Sequence, residues 1–99
     1  MNQQAMLRKA RQLQQEMLAA QREIEETSFT TSVGPVTMEM KGSKEVSKVK
    51  IDADFKIESD DDREMLEDAI VAASGKLQAE INAFTEEKMG KYKSLLGGF

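Results

Sequence analysis

The chain has 99 residues and neither cysteine nor histidine. Without cysteine there is no disulfide framework and no thiolate to hold a metal. Without histidine the usual general base at neutral pH and the commonest metal ligand are both missing. No Gly-rich phosphate-cradling loop is present either. Together these absences argue against an enzyme and against a bound cofactor or metal. There is no Trp, one Pro and only five aromatics (four Phe and one Tyr), so a core must be built from Met, Leu, Ile, Val and Ala. Seven methionines make such a core adaptable. No apolar run approaches the roughly 18 residues that span a bilayer, and MNQQAMLRKARQ lacks an apolar signal region. The expectation is one intracellular, soluble domain over residues 1–99 with no membrane partner.

What is present is unevenly charged. The net charge is −4, yet residues 1–22 carry Arg8, Lys9, Arg11 and Arg22 against Glu16 alone, a local excess of +3. Residues 88–99 carry Lys88, Lys91 and Lys93 with no acid. Both ends are basic and the middle is acidic.

Residues 2–26 read as a helical arm, rich in strong helix formers and free of Gly and Pro. Met6, Ala10, Leu13, Met17, Ala20 and Ile24 form an apolar seam with heptad-like spacing. Such a seam serves either its own domain or a helix from another chain. Residues 27–58 read as sheet. Phe29, Thr31 and Val33 alternate in a first strand that Gly34-Pro35 ends. Val36, Met38 and Met40 alternate in a second. After Gly42-Ser43, the residues Ser47, Val49, Ile51 and Ala53 share one face of a third. The result is a three-stranded antiparallel meander.

Residues 59–89 read as a second long helix. Ser59 is its N-cap and Asp60, Asp61 and Asp62 occupy its first turn, a better account of the acids than a metal site. Its stripe is Leu66, Ile70, Ala73, Leu77, Ile81 and Phe84. Gly75 predicts a kink or break and Gly90 predicts the end, leaving 90–99 as a mobile tail. Helices of this length overrun a three-stranded sheet. A two-fold homodimer through Val36, Met38, Met40, Val49, Ile51, Met65, Leu66 and Ile70 would cover what they leave bare. If the helices pair antiparallel, Arg8, Lys9 and Arg11 join Lys88, Lys91 and Lys93 at one tip, while Glu23, Glu25 and Glu26 crowd Asp60 to Asp62. A parallel pair avoids that repulsion, and the residues leave the choice open.

The combination Glu45-Val46, Val49, Ile51-Asp52, Asp61-Asp62-Arg63-Glu64-Met65-Leu66-Glu67-Asp68 and Ala72-Ala73 resembles the YbaB/EbfC family of bacterial nucleoid-associated proteins. The order of elements agrees, including Gly34-Pro35-Val36 opening a strand and Gly42 at the hairpin turn. The chain departs at Ala53, where the family usually has Pro, and at Ser74-Gly75-Lys76-Leu77, where it often has Asn-Asp followed by basic residues. Its Gly-rich segment after the first helix is also shorter. The resemblance implies an α+β fold in a tweezer-like homodimer with antiparallel helical arms, which settles the choice left open above. It also implies duplex DNA as partner, a nucleoid-associated location in the cytoplasm and an influence on nucleoid organisation and gene expression. It directs attention to Arg8, Lys9, Arg11, Arg22, Lys76, Lys88, Lys91 and Lys93 as DNA contacts.

No base-reading motif or stacking platform is present, so weak or broad sequence preference is expected. The competing reading is a helical protein-interaction or chaperone-like dimer that grips a protein through the Met-rich seam.

Overall fold

The computed structural model describes residues 2–95. Helix α1 spans Gln3–Glu26. Strands β1 (Ser28–Val33), β2 (Val36–Lys41) and β3 (Val46–Ile51) follow, then helix α2 (Asp60–Leu95). The strands form one antiparallel sheet in the order β1-β2-β3, the expected meander.

Both helix starts are capped by short polar side chains. Asn2 Oδ1 accepts from the Ala5 N–H at 2.7 Å. Ser59 Oγ accepts from the Asp62 N–H at 3.1 Å, and Asp62 Oδ2 accepts from the Glu58 N–H at 2.9 Å. The Asn2 and Ser59 bonds satisfy amide donors that a first turn leaves unpaired, and the Asp62 bond ties back the residue before the cap.

α2 is 36 residues long and passes through Gly75 and Gly90 without interruption. The expected break at Gly75 and stop at Gly90 are therefore corrected. A glycine costs about 1 kcal/mol against alanine in a helix, and packing on both sides of each position outweighs that. Of the residues expected to form a tail, 90–95 are helical, and 96–99 lie outside the described residues. At 1.5 Å per residue α2 is about 54 Å long, and the molecule measures 72 × 20 × 13 Å. Its radius of gyration, 19.9 Å, far exceeds the roughly 13 Å of a compact chain of this length.

α2 serves two cores in succession. Its first half buries Ala69, Ala73, Leu77 and Ile81 against Val36, Met38 and Met40, with Phe29, Val33, Leu66 and Ile70 at the margin. Its second half buries Met89 and Tyr92 against Ile24, with Met17, Ala20 and Phe84 packed around them. Phe84 also meets Phe29 edge-on, with ring centroids 5.4 Å apart, and so ties the two together.

Two further expectations change. Val36, Met38 and Met40 are at most 2% exposed within their own chain. They form the core under α2 and are not a free face for a second copy. In β3 the pairing shifts: Met40 faces Val46 while Glu39 faces Lys48. Ser47 is thus an extra residue, a β-bulge, and its Oγ donates to the Glu39 carbonyl at 3.2 Å. The bulge takes Ser47 out of the expected apolar face and puts Val46 there beside Val49 and Ile51.

Candidate nucleic-acid interface

The two helices pack antiparallel, as the family resemblance implied. Ile24, near the end of α1, lies with Ile81 and Met89, whereas Leu13 and Lys9, a few turns earlier, lie beside Leu95. The root of α1 therefore sits at the middle of α2, about 30 Å along the helix from Asp60 to Asp62. The feared crowding of Glu23, Glu25 and Glu26 against those acids does not arise. Glu23 instead pairs with Lys88 at 3.8 Å.

The first turns of α1 extend past the described end of α2. Between Asn2 and Gln15 there is no acidic residue, and the side chains there include Arg8, Lys9 and Arg11, all exposed. Among the described residues none of these three takes part in an ion pair. Their charge is left to act on solvent or on a polyanion. Arg8 and Arg11 line a shallow concavity with Gln4 and Leu7, which puts amide and guanidinium donors on one surface.

The other expected cations are distributed differently. Lys91 stands near the tip with its ammonium 5.0 Å from the Tyr92 ring centroid. Lys93 is hydrogen-bonded to Glu86 at 3.3 Å. Lys88 is lower on the arm, paired with Glu23 and 5.5 Å from the Phe84 ring centroid, and acts as a strut between the helices. Arg22 is exposed near the root, about 21 Å from Arg8 along α1. Among the described residues Arg22 forms no ion pair, with neighbouring Glu25 and Glu26 or any other acid. Lys76 is exposed on the sheet-bearing half of α2, about 28 Å from Leu95. The six-cation tip thus reduces to Arg8, Lys9 and Arg11, flanked by Lys91 and Lys93.

The residues expected at a dimer interface also separate. Val49 and Ile51 are 49% and 44% exposed, Met65 is exposed, and Leu66 and Ile70 are half-buried. Val46, which residue alternation placed on the other face, joins Val49 and Ile51 at 45% exposure. Strict alternation could not reveal it, because the bulge at Ser47 breaks the period. These three point to the side of the sheet that α2 covers, but α2 packs over β1 and β2 and leaves β3 uncovered.

On α1, Met6, Ala10, Leu13 and Met17 with Lys9 and Gln14 line an apolar groove of about 550 Å³. No group of acidic side chains able to hold a metal occurs among the described residues. No described helix is long and apolar enough to cross a membrane.

Comparison with known proteins finds a family and relatives that match nearly the whole chain. The family model described as the YbaB/EbfC DNA-binding family matches residues 1–96. A nucleoid-associated protein of Clostridium novyi is 35% identical over 100 residues, covering 99% of this chain and 83% of that relative. One from Lactococcus lactis is 32% identical over 94 residues, covering 93% of each chain. One from Rhodococcus jostii is 36% identical over 97 residues, covering 96% of this chain and 81% of that relative. The chain, whose first helix begins with an acid-free cationic stretch and which the family model matches over residues 1–96, belongs to the YbaB/EbfC DNA-binding family.

Proposed function

We propose that the chain acts as a homodimer that grips duplex DNA between helical arms, with Arg8, Lys9 and Arg11 neutralising phosphates and Lys91 and Lys93 in support. The observation that carries this reading is the unpaired, acid-free cationic end of α1. Phosphate contacts of this kind release counterions and are indifferent to sequence, so a broad preference follows. A protein so bound resides on the nucleoid in the cytoplasm and affects its organisation and gene expression.

The second copy is supported by the uncovered shelf of Val46, Val49 and Ile51. Three apolar side chains left nearly half exposed on the core side of a sheet are costly in water and suit a self-complementary contact. Met65, Leu66 and Ile70 are proposed to extend that contact.

The test is a DNA mobility shift across salt. Six arm-tip cations in a dimer correspond to a slope of log affinity on log salt near about −5, at −0.9 per phosphate. Reversing charge at Arg8, Lys9 and Arg11 should flatten the slope while the dimer persists. Absence of binding at low salt, or binding untouched by those changes, sinks the reading. The Met6–Met17 groove favours the second reading, a protein partner gripped through the seam; salt-insensitive capture of a protein, abolished when Met6 and Leu13 are made polar, would support it.

A further inference from the structure

We propose that Gly42 is a positioning residue for the DNA-contacting arm, an inference that rests on the arm reading above. Gly42 sits in the turn between β2 and β3, against the last turn of α1. A Cβ at this position would lie 1.8 Å from the Ile24 carbonyl oxygen, 2.6 Å from its carbonyl carbon and 3.2 Å from its Cγ2. The two nearest atoms are backbone, so no rotamer change relieves the overlap. The requirement is one of space, because Gly42 does not adopt a positive φ.

The approach is held from both sides. The Gly42 N–H donates to the Thr27 carbonyl at 2.8 Å, and the Thr27 N–H donates to the Glu23 and Ile24 carbonyls at 3.1 Å. The same turn of α1 buries Ile24 against Met89 and Tyr92. The hairpin turn and the distal half of α2 therefore clamp one helical turn between them. From that clamp α1 runs about 24 Å back to Arg8, so a small tilt at Ile24 becomes a large displacement of the cationic end. Gly42 fixes where Arg8, Lys9 and Arg11 stand without touching DNA.

The experiment uses the full chain, whose lack of cysteine permits site-specific labelling. Gln4→Cys and Gln78→Cys, both at exposed positions, carry spin labels, and labelled chains are diluted into unlabelled ones. Gly42→Ala is expected to shift or broaden the Gln4–Gln78 distance distribution while the circular dichroism and the oligomeric mass stay as in the parent. In unlabelled protein the salt slope should flatten by about 0.9 for each phosphate that the displaced arm no longer neutralises. Ile24→Ala keeps the glycine but loosens the same clamp, and should broaden the distances with a smaller drop in affinity. The proposal is overturned if Gly42→Ala leaves distances and slope at parental values. It is equally overturned if that variant loses its cooperative melt, which would make Gly42 purely structural, or if Ile24→Ala leaves the arm unmoved. If the parent itself fails to bind DNA at low salt, the arm reading falls, and with it the functional half of this proposal, whatever the distances show.

Discussion

Individual side chains at the arm divide into those with a partner in the chain and those without. Lys88 is paired with Glu23, and both are substantially solvated, so the bond contributes at most about 1 kcal/mol. Lys88→Gln should therefore lower the melting temperature slightly and leave the DNA salt slope almost unchanged. Arg8→Gln should do the reverse, flattening the slope by about 2 in a dimer, one phosphate per arm, with no change in the melt. The difference between these two variants, in one mobility-shift and one thermal series, checks the assignment. Ser59 offers a separate test. Its hydroxyl caps α2 through the Asp62 amide, and Ser59→Ala should destabilise by about 1 kcal/mol in urea unfolding. Much at this scale was legible in the sequence. The basic bias of residues 1–22 and the Ser59 cap are stated by residue type alone. Ionic partnerships were not, because Glu23 and Lys88 meet only once the helices are docked.

Among the elements, α2 differs most from what its residues suggested. Its glycines read as breaks, yet an added Cβ at Gly75 or Gly90 would meet nothing within 4 Å. Gly75→Ala should stabilise the chain by about 0.5–1 kcal/mol, since alanine removes backbone freedom from the unfolded state. For a chain of this size that corresponds to a rise in melting temperature of several degrees, roughly 2–8 °C. No rise would indicate strain at this position. β3 makes the opposite point. Its alternation was readable, but the bulge at Ser47 was not, because a bulge is a property of paired backbones. Periodicity therefore named Val49 and Ile51 and missed Val46. Val49→Asp should convert a dimer to monomer in analytical ultracentrifugation while far-ultraviolet circular dichroism holds. A dimer that survives the change places the interface elsewhere.

At the scale of the whole molecule, shape follows from an imbalance in element length. Helices of about 36 and 54 Å share a three-stranded sheet of six-residue strands, and no compact arrangement accommodates them. That overrun was evident from the sequence. Where it would go was not, because it depends on which part of α2 receives α1. The structure places α1 on the distal half, which separates the acidic stretch 52–68 from the cationic tip by most of the molecule's 72 Å length. A polyanion approaching the acidic base is repelled and one approaching the arms is attracted. Association with DNA should therefore slow steeply as salt rises, as stopped-flow measurement can show, while dissociation of the proposed dimer should stay nearly constant if it is held by the apolar shelf of Val46, Val49 and Ile51.

One consequence of the unbroken α2 concerns phase. Ala69, Ala73, Leu77 and Ile81 recur every four residues, and each such step overshoots a full turn by about 40°. The buried stripe thus winds slowly around the helix, and Met89 and Tyr92 take up the winding where α1 docks. The azimuth of the arm relative to the sheet is counted out in residues. A single residue inserted between Ile81 and Met89 would turn the distal stripe by about 100° and move Met89 and Tyr92 away from Ile24. A seven-residue insertion returns to within about 20° of the original phase and adds about 10.5 Å. The first should leave an intact sheet with the distal half of α2 undocked from α1, and the second should keep the helices docked with Met89 and Tyr92 moved one heptad up the seam, from Ile24 to Met17.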